Sequence, residues 1–168
     1  MNPNDQASAL RIREYVPADA AAIEDIAAAA WAPIYEHFAY LQEQALGEVA
    51  RPSSVDNKRA QVRSFAQQHP EWIRVSEVDG KVVGFITFTL DRERRIGTIG
   101  NNAVDPEFCG RGIGTSQYRE VLDIFRREGM RYATVVTGLD DSHAAARRAY
   151  ERVGFKQVLP SVEYMMKL

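Results

Sequence analysis

The clearest pattern along the chain is the alternation of apolar and polar residues in its middle third. The segment WIRVSEV (residues 72–78) is followed by Asp79 and Gly80 and then by KVVGFITFTL (residues 81–90). Two strand-forming runs joined by Asp-Gly predict a β-hairpin. A third run, IGTIGNNAV (residues 96–104), contains two internal glycines, which indicate a bulge or a close approach of another part of the chain.

The first third of the chain predicts one strand and a helical region. LRIREYV (residues 10–16) alternates like a half-buried strand, and ADAAAIEDIAAAA (residues 18–30) is typical of a helix. Residues 31–70 have an irregular helical pattern. Three residues interrupt it: Pro33, Gly47 and Pro52.

The last third alternates between helix and strand. Tyr118, Val121, Leu122 and Phe125 have the spacing of a buried helix face, and Gly129 ends that pattern. Four further elements follow in the order strand, helix, strand, strand, at residues 132–137, 142–153, 155–159 and 162–168. The whole order predicts one α/β domain, residues 1–168, with a central mixed, mostly antiparallel sheet of about six or seven strands flanked by helices.

Composition narrows the class of protein. A chain of 168 residues with a net charge of −2 lacks the basic excess typical of proteins that bind nucleic acids or anionic membranes. The longest uncharged apolar run, residues 26–35, is about half of the ~20 residues that a membrane span needs. The first ten residues have no pattern of a secretory signal, and the single cysteine, Cys109, fits a reducing compartment. We therefore expect a cytoplasmic protein without nucleic-acid or membrane partners.

Three glycines alternate at the start of the predicted helix, at Gly110, Gly112 and Gly114. Glycine costs roughly 0.5–1 kcal/mol relative to alanine in regular structure, so the cluster needs a reason. The free amides of a helix start, together with Arg111, favour a phosphate group, and glycines let the backbone approach it. The spacing of these glycines matches neither the P-loop nor the dinucleotide-binding fingerprint. The alternative to a phosphate site is a tight turn that binds no ligand.

Two motifs in this region carry a resemblance to a known family. AVDPEFCGRGIGTSQY (residues 103–118), followed about thirty residues later by ARRAYERVGF (residues 146–155), resembles the GNAT superfamily of acyl-CoA-dependent N-acyltransferases. In that family the phosphate loop follows the pattern Q/R-x-x-G-x-G/A, and a later helix ends in a tyrosine a few residues before a Gly-Phe pair. The resemblance implies a GNAT-like fold with acetyl-CoA as cosubstrate. It also implies an acetyl-CoA-binding core at about residues 96–155 and variable acceptor-side helices at about residues 31–70.

The resemblance assigns roles to thirteen positions around the cofactor. The backbone of residues 102–104 would pair with the pantetheine arm, and the amides of residues 110–115 would hold the pyrophosphate. The cofactor-binding residues implied in this way are Asn102, Ala103, Val104, Cys109, Gly110, Arg111, Gly112, Ile113, Gly114, Thr115, His143, Ala146 and Tyr150. Cys109 stands where the family has Gln or Arg, and His143 where it often has Asn. A hydrogen bond from His143 to the cofactor and an exposed histidine at a helix start are both compatible with the sequence.

The implied reaction is direct attack of a neutral amine on the thioester. By the resemblance, Tyr150 is the catalytic residue and protonates the departing thiolate, although its helical spacing with Ala146 also suits a core tyrosine. A backbone N–H of Asn102 or Val104 would polarise the carbonyl. Many relatives carry a glutamate on the bulged strand as base, where this chain has only Asn101 and Asn102. The base would therefore lie elsewhere or act through water.

Acceptor-site candidates come from residues 31–40. Trp31 and Tyr35 are four residues apart and can line a pocket, and Glu36 and His37 are the titratable candidates for the base. An ordinary core stripe is the alternative for Trp31 and Tyr35. We expect an acetyltransferase acting on a primary amine of a small molecule, with no metal and by analogy a homodimer. A peptide or protein amine acetyltransferase and a non-catalytic acyl-CoA-binding module are the alternatives.

Overall fold

A computed structural model describes residues 9–168. Residues 1–8 lie outside the described residues, and with them most of the segment on which the prediction about a secretory signal depends. In the described part of the chain, no helix combines the length and the apolar character needed to cross a membrane.

Within residues 9–168, one sheet of five strands forms the centre of the fold, and its strands lie in sequence order. The first four are antiparallel neighbours, and the fifth runs parallel to the fourth. The strands are β1 (Leu10–Glu14), β2 (Ile73–Val78), β3 (Lys81–Asp91), β4 (Ile96–Val104) and β5 (Tyr132–Val135). The predicted hairpin is β2–β3, with Asp79 and Gly80 both at positive φ in its turn.

Helices cover both faces of this sheet. They are α1 (Ala20–Leu46), α2 (Val55–Gln68), α3 (Ile113–Arg127) and α4 (Ala144–Arg152). One core cluster joins α1 and α2 to the sheet and includes Ile23, Ala27, Val62, Val75 and Phe85. The other joins α3 and α4 to the opposite face and includes Ile86, Phe88, Ile99, Val121 and Phe125. The predicted α/β class with a mixed, mostly antiparallel sheet is confirmed.

The expected number of strands was wrong, because the sheet has five strands rather than six or seven. Residues 155–159 and 162–168 form no strand. A strand requires a hydrogen-bonded neighbour, and apolar alternation alone does not provide one. This tail instead meets the α1–α2 region, where Arg51 pairs with Glu163 at 2.8 Å and Lys167 with Glu48 at 3.1 Å.

The prediction of a helix break at Pro33 was also wrong. Helix α1 continues through Pro33 to Leu46, although proline removes one intrahelical hydrogen bond. Tertiary packing on both sides of the proline compensates, since Ile26 lies in the core before it and Phe38 stacks on His143 after it. The predicted end at Gly47 is confirmed, because Gly47 adopts a left-handed φ of 74° and its N–H bonds to Glu43.

The bulge predicted from the glycines of β4 is confirmed. Ile86 pairs with Asn102 and Phe88 with Ile99, so β4 contains one residue more than β3 over this stretch. The extra residue lets Ile99 and Asn102, three positions apart, face the same α3–α4 side. At Gly100 a side chain would come within 2.6 Å of the Thr87 hydroxyl, so the bulge also requires a glycine.

Gly97 gives a direct test of this packing. A Cβ there would lie 2.5 Å from the Phe125 ring, so Gly97→Ala should force the ring out of the core. We expect the free energy of unfolding, measured by urea denaturation, to fall by about 1–3 kcal/mol. Gly114→Ala is the control, because its Cβ would meet only Val104 Cγ2 at 4.0 Å. Equal losses in the two variants would contradict this account of Gly97.

Candidate functional site

The site begins where the sheet opens between β4 and β5. These strands pair from Ile96 with Tyr132 to Ile99 with Val135, and no pairing follows within the described residues. Beyond this point the second half of β4 has β3 on one side and no strand on the other. The sheet therefore has a gap along residues 100–104.

The register of β4 determines which backbone groups face this gap. The Asp105 N–H donates to the Val83 oxygen at 2.8 Å, and alternate residues of an antiparallel strand bond to the same neighbour. Ala103 therefore directs its backbone groups towards β3, whereas Asn102 and Val104 direct theirs into the gap. An extended ligand placed there can pair with these two residues as an added strand would.

The glycine-rich loop lies between β4 and α3. Gly110 and Gly112 both have a φ of 79°, which explains two of the three glycines. Gly114 is different, because it is helical and a Cβ would meet no protein atom closer than 4.0 Å. The first intrahelical bond is that from the Ser116 N–H to the Gly112 oxygen, so the preceding amides are free of intrahelical partners. The space at Gly114 and these amides together fit an anionic ligand.

Two cations lie at the margin of this loop. The Phe108 ring has Lys81 Nζ at 4.9 Å and Arg111 Cζ at 4.7 Å from its centroid. Arg111 also donates to the Glu107 carbonyl, and Lys81 pairs with Asp105 at 3.2 Å. Cys109 is exposed, with its sulfur 3.8 Å from the Val104 oxygen. The margin thus carries two cations beside the free helix amides, of which Lys81 is already paired with Asp105 and Glu107.

Tyr150 reaches the open part of β4 from α4. Its hydroxyl donates to Asn102 Oδ1 at 3.2 Å, and Asn102 Nδ2 donates to the Tyr118 hydroxyl at 2.7 Å. Burial raises the pKa of both tyrosines, so both are protonated at neutral pH. Sequence analysis treated Tyr118 only as part of an apolar helix face, and nothing in its spacing distinguishes it from a core residue.

His143 and Ala146 lie at the start of α4. The His143 Nδ1 is 2.8 Å from Asp140 Oδ2, and its ring stacks on Phe38 of α1 with centroids 6.0 Å apart. Ala146 packs against the α3–α4 cluster beside Tyr150. His143 therefore links the loop before α4 to the second half of α1.

The four acceptor-site candidates on α1 separate into two groups. Tyr35 lines an open pocket between α1 and α2, and Trp31 packs against Lys58, which lines the same pocket. Glu36 is exposed, and the His37 ring stacks on Tyr40 at 6.5 Å along the outside of the helix. The structure therefore brings the aromatic pair to the pocket and leaves the two titratable residues away from its lining.

Lys58 is the charged residue of this pocket, and sequence analysis did not identify it as a site residue. It is 7% exposed, and its Nζ donates to Gln61 Oε1 at 2.7 Å and to Asn101 Oδ1 at 3.1 Å. Burial lowers the pKa of its ammonium group from 10.5 to about 8. A sequence signal existed, because Lys58 lies four and eight positions before Val62 and Ala66, on the buried stripe of α2.

The pocket itself has a volume of about 350 Å³. Besides Tyr35, Lys58 and Gln61, it is lined by Pro52, Ser53, Ser54 and Asn57. The lining is therefore mostly polar, with one cationic group. Among residues 9–168 there is no group of three or more His, Cys, Asp or Glu side chains that could hold a metal ion.

Comparison with known proteins adds to this geometry. The family model described as "Acetyltransferase (GNAT) family" matches residues 38–155. The chain is 32% identical over 88 residues to an uncharacterised N-acetyltransferase of Methanocaldococcus jannaschii, a match covering 49% of this chain and 38% of that protein. It is 38% identical over 101 residues to the N-alpha-acetyltransferase RimI of Mycobacterium tuberculosis, covering 57% of this chain and 58% of RimI. Both matches span less than two thirds of the relative.

A solved structure extends the similarity to most of the chain. The crystal structure of a GNAT family acetyltransferase from Brucella melitensis, in complex with acetyl-CoA, is 26% identical with a TM-score of 0.60. The superposition covers 90% of this chain and 85% of the Brucella protein.

The lowered pKa of Lys58 predicts a pH-dependent stability. Between pH 8 and 10.5 the unfolded chain binds a proton at this lysine that the folded chain has released, so stability rises with pH. We expect the wild type to gain about 1–2 kcal/mol over this interval relative to Lys58→Met, after allowing for solvent in the open pocket. Urea denaturation at several pH values measures it. Lys156→Met, which removes an exposed lysine, is the control, and parallel curves for the two variants would contradict the prediction.

Proposed function

Because this chain belongs to the GNAT family of acetyltransferases, we propose that it transfers an acetyl group from acetyl-CoA to a primary amine. The observation that carries the proposal is the hydrogen bond from Tyr150 to Asn102, on the part of β4 that has no strand neighbour. It places a protonated phenol beside a backbone edge that an extended ligand can occupy. The acetyl-CoA in the related Brucella melitensis structure supports the choice of acyl donor.

The residues present fit acetyl-CoA as the ligand. The open space at Gly114, the free amides of residues 113–115 and the flanking Arg111 and Lys81 suit the pyrophosphate. Backbone amides supply most of these contacts, so Cys109 in place of Gln or Arg is compatible with binding. The backbone of Asn102 and Val104 would pair with the pantetheine arm. His143 and Ala146 remain proposed neighbours of that arm from the start of α4.

Acetyl-CoA supplies an activated acetyl thioester. The chain contributes hydrogen-bond donors around it: the backbone N–H of Asn102 or Val104 stabilises charge on the carbonyl oxygen. Tyr150 would donate the proton of its hydroxyl to the departing sulfur, and for this it must release its hydrogen bond to Asn102 Oδ1, which holds the hydroxyl beside β4 beforehand. Because burial raises the pKa of Tyr150, its hydroxyl is protonated at neutral pH and the proton is available for transfer.

The acceptor amine must lose a proton before or during attack. An amine with a pKa of about 10.4 is neutral in roughly one molecule in 2500 at pH 7, a cost of about 4.6 kcal/mol. Within the described residues, no carboxylate or imidazole lines the α1–α2 pocket. We propose that water removes the proton in that open pocket. The alternative, Glu36 or His37 as base, requires a route from their positions outside the lining.

The size of the pocket favours a small-molecule acceptor. A volume of about 350 Å³ lies at the lower end of the range for small-ligand sites. Its openness to solvent also permits the end of a longer chain to enter. The name of the RimI relative, an N-alpha-acetyltransferase, supports the variant in which the acceptor is the amino terminus of a peptide.

Replacing Tyr150 by phenylalanine tests its role as proton donor. We expect kcat to fall by about 100-fold with acetyl-CoA affinity changed less than about threefold, because only the hydroxyl is lost. Coenzyme A release and calorimetric titration measure the two quantities. Tyr118→Phe is the matched control and should lose less than about tenfold, since its hydroxyl accepts from Asn102 on the buried side. An unchanged kcat in Tyr150→Phe would make Tyr150 a core residue.

Gly114→Ala tests the phosphate loop. Its added methyl group leaves the protein packing intact and occupies the space assigned to the pyrophosphate. We expect the dissociation constant of acetyl-CoA to rise at least about tenfold, the equivalent of one lost charge-assisted hydrogen bond. Urea denaturation of the same variant shows whether folding is intact. Unchanged affinity would place the pyrophosphate elsewhere.

A further inference from the structure

Lys58 is a buried cation without an anionic partner in the described part of the chain. The residue is 7% exposed, and its two hydrogen-bond partners, Gln61 and Asn101, are neutral amides. The Trp31 ring, 4.1 Å from Nζ, adds a cation–π contact on another side. Each contact eases burial of the ammonium group, yet none neutralises its charge.

Three carboxylates of α1 and α2 are engaged by arginines rather than by Lys58. Asp25 and Asp56 pair with Arg59 at 3.0 and 3.5 Å, and both Glu24 oxygens accept hydrogen bonds from Arg63. These acids lie on α1 and α2, the same two helices that form the pocket around Lys58. None of these three carboxylates therefore neutralises the ammonium group of Lys58.

Leaving a buried ammonium without an anion is unfavourable, since a desolvated charge loses its hydration without a compensating ion pair. The cost explains the direction of the pKa shift at Lys58. A ligand carboxylate entering the pocket would provide the missing charge and recover part of that cost. Ser53, Ser54 and Asn57 on the same lining offer hydrogen bonds to a small polar ligand.

The location of Lys58 relative to the gap links this pocket to acetyl transfer. Asn101 contacts Lys58 on the α1–α2 side, and the next residue, Asn102, contacts Tyr150 on the α3–α4 side. Neighbouring residues of β4 thus connect the pocket and the proposed proton donor. At this point β5 has already separated from β4, so Asn101 and Asn102 lie on the part of β4 that borders the gap.

We propose that Lys58 binds the carboxylate of the acceptor, so that the substrates of this protein are amines that also carry a carboxylate, such as free amino acids. This inference rests on the proposed acetyl transfer and specifies its acceptor class. A single ammonium among neutral amides and hydroxyls suits a singly charged carboxylate better than a phosphate. Phosphate sites more often combine several cations or the planar guanidinium of arginine.

Turnover with matched acceptors provides the first test. Coenzyme A release is measured for a panel of L-amino acids and the corresponding amino acid amides. Because a carboxamide also makes the α-amine less basic, kcat/KM is compared per neutral amine, so that the remaining difference is that of the carboxylate. We expect kcat/KM to be about 10- to 100-fold higher for the acids, as for a lost charge-assisted hydrogen bond. Lys58→Met should abolish this preference through KM with kcat within about threefold, and Lys58→Arg should restore most of it. Lys156→Met, outside the pocket, should retain the preference.

The Lys58 variants also distinguish a role in binding the carboxylate from a role as general base. Arginine retains the positive charge and cannot act as a base near neutral pH. If Lys58 instead removed the proton of the acceptor, Lys58→Arg would lose kcat on acids and amides alike, and the proposal would be overturned. Equal kcat/KM for acids and amides in the wild type would overturn it as well.

Binding provides a second test that does not depend on turnover. N-acetylated amino acids and their carboxamides are titrated calorimetrically into the complex of the protein with coenzyme A. We expect the acids to bind at least about tenfold more tightly, and Lys58→Met to remove the difference. Absence of a difference, or of any binding, would overturn the proposal. A third outcome separates the two proposals. If the acids bind more tightly through Lys58 but no acceptor is turned over, the carboxylate site is supported and acetyl transfer is disproved.

Discussion

The separation of β4 from β5 after Ile99 is the constraint on which the remainder of the site depends. Two strands that stay paired satisfy each other's backbone groups, and no ligand can enter between them. Here one extra residue in β4 changes its direction while its pairing with β3 is kept on the other side. The outcome is a backbone edge, at Asn102 and Val104, that is held rigidly but lacks a strand partner.

The bulge also directs the side chains of two successive asparagines to opposite faces of the sheet. It lets Asn102 face the tyrosines of α3 and α4, while Asn101 faces Lys58 on α2. Asn102 is fixed by two tyrosine hydroxyls, so its backbone is presented in one orientation. The Thr87 hydroxyl, which bonds to the Asn101 carbonyl, stabilises the bulge from β3. A local irregularity in one strand thus sets the relative positions of Tyr150, the proposed proton donor, and the Lys58 ammonium group.

The two sides of the gap are built on different principles. On the α3 side, the proposed contacts to an anion would come mainly from backbone amides beside the open space at Gly114, and the cations at the margin are exposed. On the α2 side, one buried ammonium carries the charge, and its surroundings are amides, hydroxyls and an aromatic ring. Under our proposals, the first arrangement would tolerate changes of side chain, as at Cys109, whereas the second would make selectivity depend strongly on Lys58.

The sequence by itself determined the hairpin, the bulged strand, the glycine loop and the helix carrying Tyr150, because each depends on local spacing and turn chemistry. It could not determine whether residues 155–168 pair as strands or whether α1 continues through Pro33, since partners distant in sequence decide both. Only the tertiary structure joined Lys58 to Trp31 and Asn101, which are 27 and 43 positions away in the chain. Burial lowers the pKa of Lys58, and the acids Glu24, Asp25 and Asp56 are paired with arginines instead of with this lysine. Neither property can be deduced from the local sequence.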